Sequence, residues 1–332
     1  MADVGSNGQM NIARMIEPHP ADRTALISRN RETTYGQLRD QVDRLRGGLT
    51  AQGVTAGDRV VVLCGNNRYF VVSYLAVVGL GAVVVPLNPA SPAPEIEREL
   101  TVVRPVAAIV GPSAAAPWKH IDRSAVPSLG CVIRAEGDVG DDEVALQTLL
   151  ESEPAPVVDV DADHIAAMMF TSGTAGSPRA AMLSHGNLIS NIEQDLTARD
   201  HTVEGDIVYG VLPLFHIFGL NVVLGVSLTV GATVVLVQRF DPATAVQSIV
   251  QRGVTVVPGA PPMWVAFCHF DELPDDAFAS VRLALSGAAR LPNSVCDLMR
   301  ERFDLAIHEG YGLTEAAPVV TSSAGLERRP GS

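Results

Sequence analysis

This sequence predicts an α/β fold with parallel sheets covered on both faces, and three observations carry that prediction. Short apolar runs of strand length alternate with helical stretches along almost the whole chain. The runs are continuously apolar, as in Val60-Val61-Val62-Leu63 and Val83-Val84-Val85, the pattern of strands buried on both sides. At 332 residues the chain also exceeds the length at which a single core stops growing, so two subdomains are expected.

Taken in order, residues 1–20 are expected to be a flexible N-terminus, because Met1 to Gly8 are small and polar. Tyr35, Leu38, Val42, Leu45 and Leu49 then form a helical stripe with Thr34 as cap and Gly53 as stop. The strand Val60 to Leu63 follows, then a largely buried helix from Arg68 to Gly79 and the strand Val83 to Val85. Glu95 to Val103 form a helix ended by Pro105, before the strand Val106 to Val110. Gly111 to Pro127, rich in Ala, Ser and Pro, reads as a surface excursion. Glu151 to Asp163, with its prolines and aspartates, reads as an exposed connection, so the first subdomain is placed at 21–160 and the second at 161–332. The second half continues with strands at Ile165 to Phe170, Ile207 to Leu212, Thr233 to Val237, Val254 to Val257, Val281 to Leu285 and Leu305 to His308. Helices are expected at Leu220 to Val230, Pro242 to Gln251, Pro262 to Phe270 and Pro292 to Phe303. Ligands of open α/β sheets bind beyond the carboxyl ends of the strands. Pro213 to His216, Gly287 to Ala289 and Gly310 to Glu315 all follow such ends, so they are expected to converge on one rim.

Composition removes several function classes. A net charge of -13 disfavours nucleic-acid binding, because phosphate backbones would be repelled. The four cysteines have neither disulfide nor metal-ligand spacing and suit a reducing cytoplasm. No secretory leader opens the chain and its apolar runs are interrupted, so no transmembrane segment is expected. A homodimer is compatible with the sequence.

The most informative stretch is Thr171-Ser172-Gly173-Thr174-Ala175-Gly176-Ser177-Pro178-Arg179. Between two apolar runs it places hydroxyls, glycines and one cation, so its backbone N–H groups and side chains can surround the oxygens of a polyphosphate. The same composition also suits an ordinary surface turn. It is not a Walker A loop, since the required Lys is missing and a strand follows it where that motif needs a helix.

T-S-G-T-x-G-x-P-[KR] resembles the phosphate loop of the adenylate-forming enzymes, among them acyl-CoA synthetases, coumarate-CoA ligase, luciferase and peptide-synthetase adenylation domains. Further likenesses appear in the family's order from about Asp22 to the end of the chain: Thr34-Tyr35-Gly36-Gln37-Leu38, Leu80-Gly81-Ala82 through Pro89, Leu212 to Gly219, Ser286-Gly287-Ala288-Ala289 and Tyr311-Gly312-Leu313-Thr314-Glu315. The resemblance implies two stacked, mostly parallel sheets with flanking helices, the N-terminal domain of that fold, without the C-terminal lid domain. It implies that Thr171, Ser172, Gly173, Thr174, Gly176 and Arg179 hold the outer phosphates of ATP. Thr314 would contact the α-phosphate, Glu315 would bind Mg2+, and Tyr311 with Gly312 would meet adenine beside Gly287 and Ala288. The chemistry agrees, since a carboxylate suits a hard cation and a flat aromatic beside small residues suits a purine. His216 is assigned to orienting the acyl substrate. Phe215, Trp264 and the apolar helix after Leu220 are either walls of the acyl pocket or plain core. His185 reads as scaffolding for the loop.

Activity is implied as ATP-dependent conversion of a carboxylic acid to an acyl-adenylate, followed in full-length relatives by thioester formation with CoA. The greasy segment around Phe215 leans toward a fatty or aryl acid over an amino acid, and a fatty acid is the expected substrate. Two departures matter. Ala175 stands where a hydroxyl is usual, and Arg179-Ala180 where Lys-Gly is usual. The sequence ends before the family's ribose-binding aspartate, hinge and mobile domain, and Lys119 is its only lysine. The chain is therefore expected to be weakly active or inactive alone. The alternatives are a non-catalytic acyl- or adenylate-binding module and an acyl-AMP ligase serving a carrier protein.

Overall fold

A computed structural model of the chain describes residues 9–171 and 178–327. Two compact units emerge, one of residues 1–23 and 34–189, the other of residues 24–33 and 190–332.

The first unit holds a seven-stranded sheet. Its neighbours run Arg179–Ser184, Ile165–Thr171, Val83–Pro86, Arg59–Leu63, Ala107–Val110, Cys131–Arg134 and Val144–Ala145. All pair in parallel except the outermost, Arg179–Ser184, which returns antiparallel along Ile165–Thr171. The central strands are buried throughout, as their continuous apolar sequence requires. Tyr35–Ala51 is a helix because Thr34 and Gln37 form a capping box, and Gly53 closes its end at a φ of 84°. Arg68–Gly79, capped by Asn67, is buried on nearly every side.

Two expectations fail in this unit and a third is borne out. Residues 9–20 are not flexible: Gln9–Met10 pairs with Val160–Asp161, and Ile12, Ala13, Met15 and Ile16 are buried. Gly111 to Pro127 is not a surface excursion, because Ala114, Trp118, Ile121 and Val126 fill one hydrophobic cluster with Ile96, Leu100 and Val132. Small and Pro-rich sequence there reflects two short helical turns, Pro112–Ala114 and Ala115–Trp118, which aim their few large side chains inward. The connection from Glu151 to Asp163 is exposed over most of its length, as expected, and lies as a strap over the helices. Ala155 N–H bonds Asp43 O, Val158 N–H bonds Gly79 O, and the buried Arg46 guanidinium donates to Ala155 O. A Cβ on Gly47 would sit 1.9 Å from Glu153 O, so only glycine lets the strap pass.

The second unit holds an eight-stranded sheet in the order Val319–Ser322, Ile307–Gly312, Leu283–Ser286, Val256–Gly259, Ile207–Gly210, Thr233–Leu236, Thr24–Ser28 and Arg31–Thr34. Its pairings from Ile307–Gly312 to Thr24–Ser28 are parallel, and Val319–Ser322 is antiparallel. The division at 160/161 is thus corrected to Ile189/Ser190. Ile165–Thr171 pairs with Val83–Pro86 and belongs to the first sheet, while Thr24–Thr33 leaves its sequence neighbours to extend the second. The helix His185–Asp195 spans that division.

Trp264, fully buried, stacks in an aromatic core with Phe267 and Phe278, and its indole N–H donates to Leu285 O at 3.2 Å. This settles Trp264 as core. The amino ends of three adjacent parallel strands are tied by Asp206, which accepts from Thr255, Arg282 and Val203 N–H. Burial alone would raise the Asp206 pKa, but these donors bring it below the ordinary carboxylate value. The opposite rim, at the carboxyl ends, carries the sequence motifs.

Candidate functional site

In the first unit the described flanks of the Thr171 to Arg179 segment close a hairpin. Thr171 and Arg179 are register partners, and Thr171 Oγ1 donates to Arg179 O at 3.5 Å. Thr171 is half-buried and Arg179 is exposed. Ser172, Gly173, Thr174 and Gly176 lie outside the described residues. Beyond the hairpin, Ser184 and Asn187 cap the following helix by reciprocal side-chain to backbone bonds. His185 is fully buried and its Nδ1 accepts the Ile12 N–H at 3.1 Å. Burial, with His164 nearby, pushes its pKa down to about 4, so it is a neutral scaffold residue.

In the second unit the strands ending at Gly210, Gly259, Ser286 and Gly312 are parallel and in register, so the segments after them share one rim. After Gly210 the chain turns through Pro213, with His216 N–H bonded to Pro213 O, into a π-helix, Phe218–Gly225, continued by Val226–Val230. A π turn is rare and places side chains where a regular helix would not. Gly219 is required at its start, since a Cβ would lie 2.2 Å from Pro213 O. Phe215 is half-buried, and its ring centroid lies 4.5 Å from that of His216. His216 reaches the surface, but burial of part of the ring lowers its pKa below the ordinary imidazole value, favouring the neutral form.

The π-helix touches both remaining motifs. Phe218 lies against Gly287, where a Cβ would sit 2.7 Å from its ring, so the glycine is there to admit the aromatic. Ala288 follows, exposed and left-handed at a φ of 70°. Asn221, 1% exposed, donates from Nδ2 to Ala317 O at 2.8 Å. Ala317 closes the short helical turn Thr314–Ala316.

Tyr311 lies on the strand Ile307–Gly312, which runs past the expected end at His308 and pairs antiparallel with Val319–Ser322. That strand was hidden because Gly310, Tyr311 and Gly312 read as loop. Ser286 and Glu309 are register partners, so Ala288 and Tyr311 each stand two residues beyond one pair on adjacent strands. Tyr311 is 63% exposed, Thr314 is half-buried and Glu315 is exposed. Gly312 approaches Pro318 so closely that a Cβ would sit 2.5 Å from its carbonyl oxygen. On the far side of Pro318, Asn191 donates to Val319 O at 2.9 Å and accepts Val319 N–H at 3.2 Å. Beneath the rim, Val222, Val223, Val208 and Pro258 line a cavity of about 20 Å³, room for a single water.

Sequence reasoning missed Asn191 and Asn221, and it placed Phe218 in a motif without seeing that the ring packs on Gly287. For Asn221 a signal existed, a single amide inside the apolar run Phe218-Gly219-Leu220-Asn221-Val222-Val223-Leu224.

The model of a family described as AMP-binding enzyme matches residues 12–332. The feruloyl-CoA synthase of Amycolatopsis sp is 34% identical over 316 residues, which cover 93% of this chain and 59% of that protein. The 4-coumarate–CoA ligase 5 of Oryza sativa subsp. japonica is 29% identical over 319 residues, covering 93% and 58%. The crystal structure of the anthranilate CoA ligase AuaEII in complex with anthranoyl-AMP superposes at a TM-score of 0.92 with 23% identity, over 98% of this chain and 64% of that one. This likeness establishes the shared fold. The chain spans a little under two thirds of the proteins it resembles.

Proposed function

This chain belongs to the AMP-binding enzyme family, and on that premise we propose that it binds ATP with Mg2+ and activates an aromatic carboxylic acid as its acyl-adenylate. In a longer protein that adenylate would be passed to CoA. The observation that carries this reading is the π-helix, which packs Phe218 on Gly287 and hydrogen-bonds Ala317 through Asn221. Three motif segments are thereby joined at the carboxyl end of one parallel sheet.

The residue roles follow from chemistry. Adenylation builds charge on phosphoryl oxygens as the acyl carboxylate attacks the α-phosphorus and pyrophosphate leaves, so fixed donors and a cation stabilise it. Arg179, Thr171 and the hydroxyls between them hold the outer phosphates, and Thr314 meets the α-phosphate. Among the described residues no three His, Cys, Asp or Glu side chains gather to hold a metal alone. Glu315, a single exposed carboxylate, suits Mg2+ in its usual mode of one or two carboxylates completed by substrate phosphates and water. The ion would neutralise phosphate charge. Tyr311 and Ala288 flank the purine at the strand ends. His216 is assigned to orienting the acyl group, not to proton transfer.

The names of the relatives, coumarate and ferulate ligases, support an aromatic acid over the fatty acid that the sequence alone ranked first. Titration calorimetry with Mg·ATP tests the nucleotide site, and absence of heat rejects it. Pyrophosphate release with coumarate, ferulate, benzoate and a fatty-acid series tests the rest: turnover greatest with fatty acids restores the first ranking.

A further inference from the structure

The segment Ala317-Pro318-Val319 is gripped from two sides by buried asparagines. Asn221 donates to Ala317 O at 2.8 Å, and Asn191 makes a two-way pair with Val319, donating to its carbonyl at 2.9 Å and accepting its N–H at 3.2 Å. Both amides are nearly sealed from water, at 1% and 5% exposure. Burying a carboxamide costs free energy that its hydrogen bonds only roughly offset, so packing alone would favour an apolar side chain at either position. The neighbours make the point sharper, because Leu220, Val222, Val223 and Leu224 beside Asn221 are all buried and apolar. Gly225 completes the arrangement, since a Cβ there would lie 2.9 Å from Asn221 Oδ1.

Apart from the two amides, this backbone segment is tied to its own neighbours, by Leu313 N–H to Pro318 O, Ala317 N–H to Thr314 O and the pairing of Val319 with Gly312. Val319–Ser322 is the last strand of its sheet, and Val320, Thr321 and Ser322 are exposed. Directly before it stands the turn Thr314–Ala316, closed by Ala317 in the left-handed region at a φ of 68°.

We propose that Asn191 and Asn221 are positioning residues, a clamp on Ala317 and Val319 that sets where Glu315 presents its side chain to the metal. The inference rests on the nucleotide reading above. It predicts that the asparagines act through Glu315, so their loss is felt in Mg-dependent ATP affinity.

The test uses the whole chain, with Asn191→Ala, Asn221→Ala and Asn221→Leu made singly and combined with Glu315→Gln. Mg·ATP affinity is read by calorimetry, metal-free ATP affinity in EDTA, and amide hydrogen exchange over residues 312–319. Expected are a Mg·ATP affinity lowered about threefold in each single variant, metal-free affinity unchanged, and faster exchange over 312–319. In the Glu315→Gln background the asparagine changes add nothing further. Equal losses with and without metal, or full additivity with Glu315→Gln, overturn the proposal in favour of a purely structural role. Unchanged exchange over 312–319 overturns it too, by showing that no clamp exists. If exchange rises as expected but the unaltered chain binds no Mg·ATP, the nucleotide reading has failed and the proposal falls with it. Because Asn221→Leu keeps the volume, it separates lost hydrogen bonding from a cavity should Asn221→Ala unfold.

Discussion

Each of the two large sheets has one side where parallel strands give over to an antiparallel edge strand, and in each that edge pair bears a motif. In the first unit the pair is Ile165–Thr171 with Arg179–Ser184, and in the second it is Ile307–Gly312 with Val319–Ser322. The two are secured differently. The first is anchored at its exit by an imidazole, with His185 Nδ1 accepting the Ile12 N–H. The second is anchored by amides and a hydroxyl, through Asn191, Asn221 and Ser323. At its mouth the first exposes a cation, Arg179, and the second an anion, Glu315. One architecture thus supplies opposite charges, one suited to phosphate oxygens and the other to a metal.

Acid provides the largest separation between them. His185 has a pKa of about 4 in the fold against its ordinary 6.5, so between those values the unfolded chain takes up a proton that the folded chain refuses. Stability therefore falls as pH drops through this window, by about 3 kcal/mol at the limit. Glu99, pushed up to about 7 by burial and by Glu95, works in the opposite sense over an overlapping range. Urea unfolding from pH 4 to 7 should thus be compared among the unaltered chain, His185→Asn and Glu99→Gln. The acid loss should flatten in the first variant and deepen in the second; an unchanged slope in His185→Asn contradicts the account.

Steric disruption of the second edge comes next. Gly312→Ala forces a methyl group against the Pro318 backbone and should cost about 2 kcal/mol of stability. It should also weaken Mg·ATP binding. A melt indistinguishable from the unaltered chain would mean that the two strands approach less closely.

Charge removal is gentler. Arg179→Met should leave stability within about 0.5 kcal/mol, since the side chain is exposed, while lowering ATP affinity about tenfold with or without metal. Glu315→Gln should have the smallest effect, a loss of about threefold that appears only when Mg2+ is present, worth under about 1 kcal/mol. If both variants respond identically to EDTA, the assignment of opposite roles to the two mouths is wrong.

Much of this fold could be read from the chain because buried parallel strands are written as unbroken valine and isoleucine runs. Arg68–Gly79 and the Thr34 cap fell where periodicity placed them. Other parts were illegible for identifiable reasons. Thr24–Ser28 pairs with Thr233–Leu236, a long-range contact that no local pattern announces. Gly310 to Gly312 hides a strand behind residues that favour turns. Trp118 and Ile121 enter the core from a Pro- and Ala-rich stretch whose composition resembles a loop. At the candidate site the motif residues were found by resemblance, but the asparagines that brace them were not. Their importance depends on which backbone carbonyls they reach, and only the folded chain shows that.

The two tryptophans have an optical consequence. The chain has only Trp118 and Trp264, one in each unit, and both are buried, at 4% and 0% exposure. Each unit therefore contains its own intrinsic fluorophore. Trp118→Phe and Trp264→Phe would each leave one emitter, and the red shift of that emitter on denaturation would report whether the halves melt together or in sequence.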